Sequence, residues 1–350
     1  MSDDVTADDG PADRSTPVVR RATTADVAGL AGVSLKTVSR VFTGSAGVSA
    51  GTRRKVQEAA RELGFRPNYI ARELRSGGIS TDVGFVIGDL GNPFYSKVAA
   101  GVERVLSDRG LTMILAATED EAGEEPRVVR AMLDRGVLAL LLVPIADDHS
   151  YLRTDNVAGV PVVSVDRPLS HLAGDAVVLR NADGAARAVR LLLDSGHRRI
   201  AFVGSSAGLY SHGERLSGCR LALEERGLVP DPALERTDAP TVETAEAACE
   251  ELLRMADPPS AIFAANNRAA VGVYTALRRR GSDTALVGFD DFDLADALGI
   301  TVVSYDPVRM GVSAAQRALA RLAEGREPEP VRTVEISTSL TVRRSHLSLP

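Results

Sequence analysis

From Thr81 onward, near-continuous apolar runs alternate with amphipathic helical stretches, and this alternation limits the fold more than any other feature of the 350 residues. The runs read "VGFVIGD", "LTMILAA", "VLALLLVP" and "VPVVSVD", with stretches such as "FYSKVAAGVERVLSDRG" between them. Strands apolar on both sides must be covered on both faces, and strands separated by helices join most simply in parallel. The pattern restarts through "DAVVLR", "NADGAARAVRLLLDSG", "RRIAFVGS", "SHGERLSGCRLALEERG", "SAIFAAN" and "TALVGFD". Two βα sets of similar size predict an α/β chain with two doubly wound parallel-sheet subdomains. Ligands of such sheets sit beyond the carboxyl ends of the strands. Those ends carry Asp89 and Asn92, Asp166 and Arg167, Asn266 and Asn267, and Asp290 and Asp291. If the subdomains face each other, these residues converge on one cleft.

The segment before this body has a different pattern. Thr23 and Asp26 stand in capping-box spacing ahead of an apolar stripe of Val27, Leu30 and Ala31. Gly32 is the stop, Val33 lies in the turn and Ser34 caps a second helix, which buries Val38 and Val41. A third helix follows in "VSAGTRRKVQEAARELGF", capped by Ser49, with Val56, Ala60 and Leu63 buried and Gly64 as its stop. Two short helices across a glycine turn predict a helix-turn-helix whose second helix enters the DNA major groove. Leu35 and Lys36 then face base edges, with Arg40 one turn further along. A cation suits guanine, and leucine packs on a thymine methyl. Ser34, Thr37, Ser39 and Arg53 suit phosphates. The plainer reading is a three-helix bundle with a solvated charged face. Against it, residues 22–78 hold nine Lys/Arg and four acids in a chain whose net charge is -6. The next segment, "RPNYIARELRSGG", predicts a helix of about seven residues capped by Asn68, too short to stand alone in water. Its Leu74 is a candidate minor-groove wedge, the alternative being a plain linker.

The stretch "TTADVAGLAGVSLKTVSRVFTGSAGVSAGTRRKVQEAARELGFRPNYIARELRSG" resembles the headpiece and hinge of the LacI–GalR family of bacterial transcriptional regulators. The resemblance implies a homodimer on a palindromic double-stranded operator, with paired hinge helices in the minor groove. It extends the candidate DNA contacts to Thr23, Thr24, Thr43, Asn68, Tyr69 and Ala71. Thr43 stands where the family usually has Asn, and Glu73 brings an acid close to phosphates. The body resembles the family's effector domain, itself similar to periplasmic sugar-binding proteins. "GNPFY" then offers Asn92, Phe94 and Tyr95, "SVDRP" offers Asp166 and Arg167, and "ERLSGC" puts Arg215 where the family's ligand arginine lies. "AANN" offers Asn266 and "VGFDD" offers Asp290. Tyr305, in "VVSYDP", replaces the usual glutamine, and Asn267 the usual aspartate. Amides and carboxylates take adjacent hydroxyls in pairs while an aromatic face covers C–H surface, as a sugar effector needs. Helix capping is the plainer reading for Asn181 and Asn267.

The expected division is an acidic disordered tail over 1–21, a headpiece over 22–66, a hinge over 67–79 and an effector and dimerisation domain over 80–345. Within the last, subdomain one takes 80–178 and 306–329, and subdomain two takes 179–305 and 330–345. The N-terminus lacks an apolar secretory core, and no run approaches the roughly 18 apolar residues of a membrane span, so a cytoplasmic protein is expected. Two cysteines form neither a disulfide framework nor a zinc site, and five histidines are scattered without ligand spacing. No P-loop, dinucleotide fingerprint or HExxH occurs, which argues against an enzyme, a cofactor or a metal. The end "RRSHLSLP" adds no leucine heptad, so a dimer is expected rather than a tetramer. The expected function is a sequence-specific repressor controlled by a sugar or sugar derivative. Alternatives are a regulator responding to a nucleobase and a free-standing sugar-binding protein, which would need an export signal and no basic headpiece.

Overall fold

The computed structural model describes residues 22–42, 48–63, 80–153, 157, 159–323 and 330–347. Two compact units divide the chain, residues 1–79 and 80–350. Thr43 and the hinge positions Asn68, Tyr69, Ala71 and Leu74 lie outside the described residues.

In the smaller unit, α1 (Thr24–Ala31), α2 (Leu35–Phe42) and α3 (Ala50–Glu62) form a three-helix bundle. Asp26 Oδ2 accepts from the Thr23 amide at 2.7 Å and Thr23 Oγ1 from the Asp26 amide at 3.3 Å, closing the capping box. Gly32 ends α1 in the left-handed conformation (φ 67°), which a side chain would strain. Ser34 Oγ accepts from the Thr37 amide and Ser49 Oγ from the Thr52 amide, so each helix starts where its cap stands. Val27, Ala28, Val38, Val41, Val56, Ala59 and Ala60 make the core. Two expectations are corrected. Leu30 is 48% exposed, because the buried face of α1 centres between Val27 and Ala28 and Leu30 points about 110° away from it at 100° per residue. Leu63 is 37% exposed, since it is the C-cap of a helix longer than the two eight-residue helices it packs on.

The larger unit begins with β1 (Asp82–Ile87), α4 (Pro93–Ser107), β2 (Thr112–Ala117), α5 (Glu125–Asp134), β3 (Ala139–Leu142), β4 (Val162–Asp166) and β5 (Asp175–Leu179). It then runs through α6 (Asn181–Asp194), β6 (Ile200–Val203), α7 (Tyr210–Glu224), β7 (Glu235–Arg236), α8 (Val242–Leu253), β8 (Ala261–Ala264), α9 (Asn267–Arg280), β9 (Ala285–Phe289) and β10 (Thr301–Ser304). It closes with α10 (Pro307–Ala323), β11 (Thr333–Ile336) and β12 (Ser339–Thr341). One six-stranded sheet has the order β11-β5-β4-β3-β1-β2 and the other β12-β10-β9-β8-β6-β7. Every pairing is parallel except β10 with β12, and the inner strands are buried on both faces, as their apolar runs require. The chain therefore passes between sheets three times, after β5, after β10 and between β11 and β12.

Two boundary expectations change with this topology. "DAVVLR", read as the first strand of the second set, is β5, an inner strand of the first sheet. Residues 333–336, expected in subdomain two, pair with β5 from Thr333↔Ala176 to Ile336↔Leu179. A strand buried on both faces fits either sheet by pattern, so the sheet it joins follows from the crossovers rather than from its composition.

Helix α10 packs on α4 against the first sheet through a reciprocal glycine contact. A Cβ on Gly311 would overlap the Val98 carbonyl oxygen, and one on Gly101 would overlap that of Val308. Gly311→Val should therefore force the helices apart and destabilise the body by about 3 kcal/mol, the upper part of the overpacking range. Thermal unfolding checks this, and an unchanged midpoint would mean that the contact is not closely packed.

Candidate functional site: a basic helix face and a cleft between two sheets

In the small unit, α2 turns Val38 and Val41 inward and Leu35 (56% exposed), Lys36, Ser39 and Arg40 outward. The Ser34 and Thr37 hydroxyls lie 2.9 Å apart at the start of the helix. Thr23 is exposed and Thr24 half-buried at the start of α1. Arg53 Nη1 approaches the Val41 carbonyl at 3.5 Å, placing a cation at the carboxyl end of α2, where the helix dipole favours it. This bond is a structural tie that the sequence reading did not foresee.

In the body, all nine candidate cleft residues line one cavity of about 470 Å³ at the carboxyl ends of both sheets. The two sheets contribute matching corners. Asp166 ends β4 at φ 69° and Asp290 follows β9 at φ 76°, both left-handed, so each strand turns sharply and its carboxylate faces the cavity. Such strained non-glycine positions gather at functional sites. Asp290 Oδ1 accepts from the Tyr305 hydroxyl at 2.8 Å, and its Oδ2 from the Asn267 amide at 3.2 Å. Tyr305 lies in the crossover between β10 and α10, with its ring edge-on to Phe94 of α4 at 6.0 Å and tilted against Phe289 at 6.2 Å. Phe94 in turn meets Tyr95 edge-on at 5.0 Å. An aromatic wall thus runs from one subdomain to the other. Burial, and then the charge of Asp290, push the Tyr305 phenol well above its ordinary range, so it stays a donor.

Arg215, on α7, is 4% exposed and held from several sides. Its Nε donates to Asn181 Oδ1 at 2.8 Å, its Nη1 to the Ala265 carbonyl at 2.6 Å, and its Nη2 lies 3.9 Å from Asp290. The guanidinium carbon stacks 3.7 Å over the Phe289 ring. Arg167 Nη1 donates to the Pro144 carbonyl at 3.0 Å. Its buried Nε, 3.4 Å from Asp166, makes no hydrogen bond among the described residues and so offers a donor for a ligand oxygen.

Several residues were missed. Asn181 is not a helix cap: Arg180 holds that place in α6, and Asn181 orients Arg215. Asn266 caps α9 through the Ala269 amide, while Asn267 donates across the cleft to Asn92 Oδ1 at 3.1 Å. Arg268 also crosses, pairing with Asp89 and lying 3.8 Å from Asp120. His212 Nδ1 accepts from the Ser205 amide at 3.1 Å, and burial holds the ring neutral. Below the cleft, the buried Glu125 carboxylate accepts from the amides of Ile145 and Ala146 and from the Tyr151 hydroxyl, and His149 Nε2 lies 3.1 Å from it. Burial raises the Glu125 carboxyl, but these donors more than offset it and hold it below its usual range. They fix the loop whose Pro144 carbonyl holds Arg167. Among the described residues, no His/Cys/Asp/Glu group could hold a metal ion, and no helix is long and apolar enough to cross a membrane.

This arrangement has known counterparts. Residues 23–68 match the model of the lacI family of bacterial regulatory proteins, and residues 189–346 match a periplasmic binding protein-like domain. The HTH-type transcriptional regulator CelR of Thermobifida fusca is 35% identical over 93% of this chain and 98% of its own. The ribose operon repressor of Escherichia coli K12 is 34% identical over 78% of this chain and 84% of its own. A solved complex of the regulator CelR with cellobiose superimposes with a TM-score of 0.69 at 32% identity, over 93% of this chain and all of that one. On these matches, which span the helix-turn-helix and both sheets, the chain belongs to the lacI family of bacterial regulatory proteins.

Proposed function

We propose that this regulator binds a palindromic double-stranded operator as a homodimer, and represses transcription there under the control of a sugar in the cleft. The observation that carries the sugar reading is the pairing of an aromatic wall with clustered carboxylate, amide and guanidinium groups in one cavity. Flat aromatics cover the C–H faces of a sugar, and fixed planar polar groups take its hydroxyls. The cellobiose complex of a relative and the ribose operon repressor support the same ligand class. The walls come from both subdomains, so a ligand touching both favours one relative arrangement of them. It changes DNA affinity by its differential affinity for the two arrangements. Its role is binding, since His212 and His149 both spend a ring nitrogen on a backbone amide rather than facing a nucleophile.

A thermal-shift panel of neutral sugars tests the ligand class, because a ligand bound to the folded state raises stability as RT ln(1 + [L]/Kd). A panel with no shift at any sugar would overturn it. For DNA, Lys36→Ala should cost about 1–3 kcal/mol at one base position and relax preference there. Arg53→Ala should instead weaken all sequences and lower the salt slope by about one. Anisotropy titrations across salt and operator variants separate the two effects.

A further inference from the structure

The charge of the cleft restricts which sugars can enter it, an inference that rests on the sugar reading above. Among the described residues, six carboxylates line the cavity against three guanidiniums. Asp166 and Asp290 stand at the strand ends, and Asp89, Glu119, Asp120 and Glu121 form an acidic wall on the first subdomain. Each guanidinium is already engaged: Arg215 by Asn181 and Ala265, Arg167 by Pro144 and Asp166, and Arg268 by Asp89 and Asp120. Arg167 keeps its buried Nε–H without a hydrogen bond among the described residues, a donor that a ligand hydroxyl can use, while its charge is already balanced by Asp166 at 3.4 Å.

Helix N-termini are the other common anion sites, and most of those at this cleft are occupied by their own side chains. Asn92 takes the Phe94 amide of α4. Asn266 and Asp290 take amides of α9, and Thr241 takes the Thr244 amide of α8. Helix α7 starts without a side-chain cap, and its Ser211 lines the cavity. Burial also pushes the Asp166 and Asp120 carboxyls above their usual range, so the cleft already disfavours negative charge on its own walls.

We propose that the cleft selects an uncharged sugar and excludes its phosphorylated counterpart, with Asp89, Glu119, Asp120 and Glu121 as the excluding wall. A phosphate brought beside this wall meets like charge, and each of the three guanidiniums of the cavity already lies against a carboxylate, Arg167 against Asp166, Arg215 against Asp290 and Arg268 against Asp89. Calorimetric titration of the full chain with cellobiose, glucose, galactose and ribose, each monosaccharide paired with its terminal phosphate, tests this directly. At least one neutral sugar should bind, and its phosphate should bind about 100-fold more weakly, the effect of a like-charge contact. A phosphate that binds as tightly as its neutral partner, as the α7 N-terminus would allow, overturns the proposal while leaving the sugar reading intact. Absence of binding by every neutral and phosphorylated sugar overturns the sugar reading, and this inference with it. In Glu119→Gln/Asp120→Asn/Glu121→Gln, the phosphate-to-neutral affinity ratio should rise at least tenfold. An unchanged ratio would remove the wall from the account.

Discussion

Arg215→Ala should abolish the response of operator binding to a sugar. The guanidinium is buried, bonded to Asn181 and Ala265, and stacked on Phe289 beside Asp290. Removing it strands the groups that it satisfied and, on the proposed reading, takes a donor away from the sugar. Truncating one partner of a buried charged contact costs about 2–5 kcal/mol, or roughly 30- to several-thousand-fold in ligand Kd. Arg215→Lys keeps the charge but loses the planar fork, so its loss should be intermediate. The unfolding midpoint of each variant, measured alongside, shows whether the body still folds. A folded Arg215→Ala protein that responds to sugar like wild type would remove Arg215 from the ligand site.

The largest expected loss of stability lies at the opposite end of the first sheet. Asp175, 3% exposed at the start of β5, accepts from Arg317 Nε at 2.9 Å, Arg321 Nε at 2.6 Å and the Arg332 amide at 2.8 Å. One carboxylate therefore joins β5, α10 and the segment leading into β11. Asp175→Ala should cost about 3–5 kcal/mol, the usual penalty for breaking a buried ion pair from one side, and lower the midpoint by roughly 10 °C in a body of this size. Burial acts to raise this carboxyl, but Arg321, the Arg332 amide and Arg317 outweigh it and hold it below the usual range. The sign of the pH dependence follows. Its stabilisation is complete above the unfolded value near pH 4 and is lost as pH falls through the lower folded value. The stability gap between wild type and Asp175→Asn should thus be constant near neutrality and shrink below about pH 4. Urea titrations at several pH values measure it, and a gap that grows in acid would contradict this sign.

Much of the cleft was legible because its residues follow apolar strands, where the end of a run marks the carboxyl edge of a sheet. Asp166, Asn266 and Asp290 were found that way. Arg215, mid-helix on α7, came only through resemblance to a family. Arg268, Asn181 and His212 carried no such mark. Their roles depend on partners far along the chain, Asp89 for Arg268 and Arg215 for Asn181, and helical periodicity alone reads such residues as exposed or capping. Glu125 was hidden for the same reason: an acid in the first turn of a helix reads as a dipole partner, yet its oxygens serve a loop some twenty residues on. The side taken by β11 was also illegible, because four residues of alternating exposure carry no record of which sheet receives them.

The proposed function links ligand in the cleft and operator on α2 through one equilibrium. Linkage makes the coupling reciprocal, so the most direct measurement is the Kd of one neutral sugar, cellobiose or another from the panel, for the free protein and for the protein saturated with operator DNA. The two values should differ by the same factor by which that sugar changes the operator Kd, about 5- to 150-fold for a typical coupling of 1–3 kcal/mol. Equal sugar affinities with and without operator would mean that the cleft and the operator are not linked.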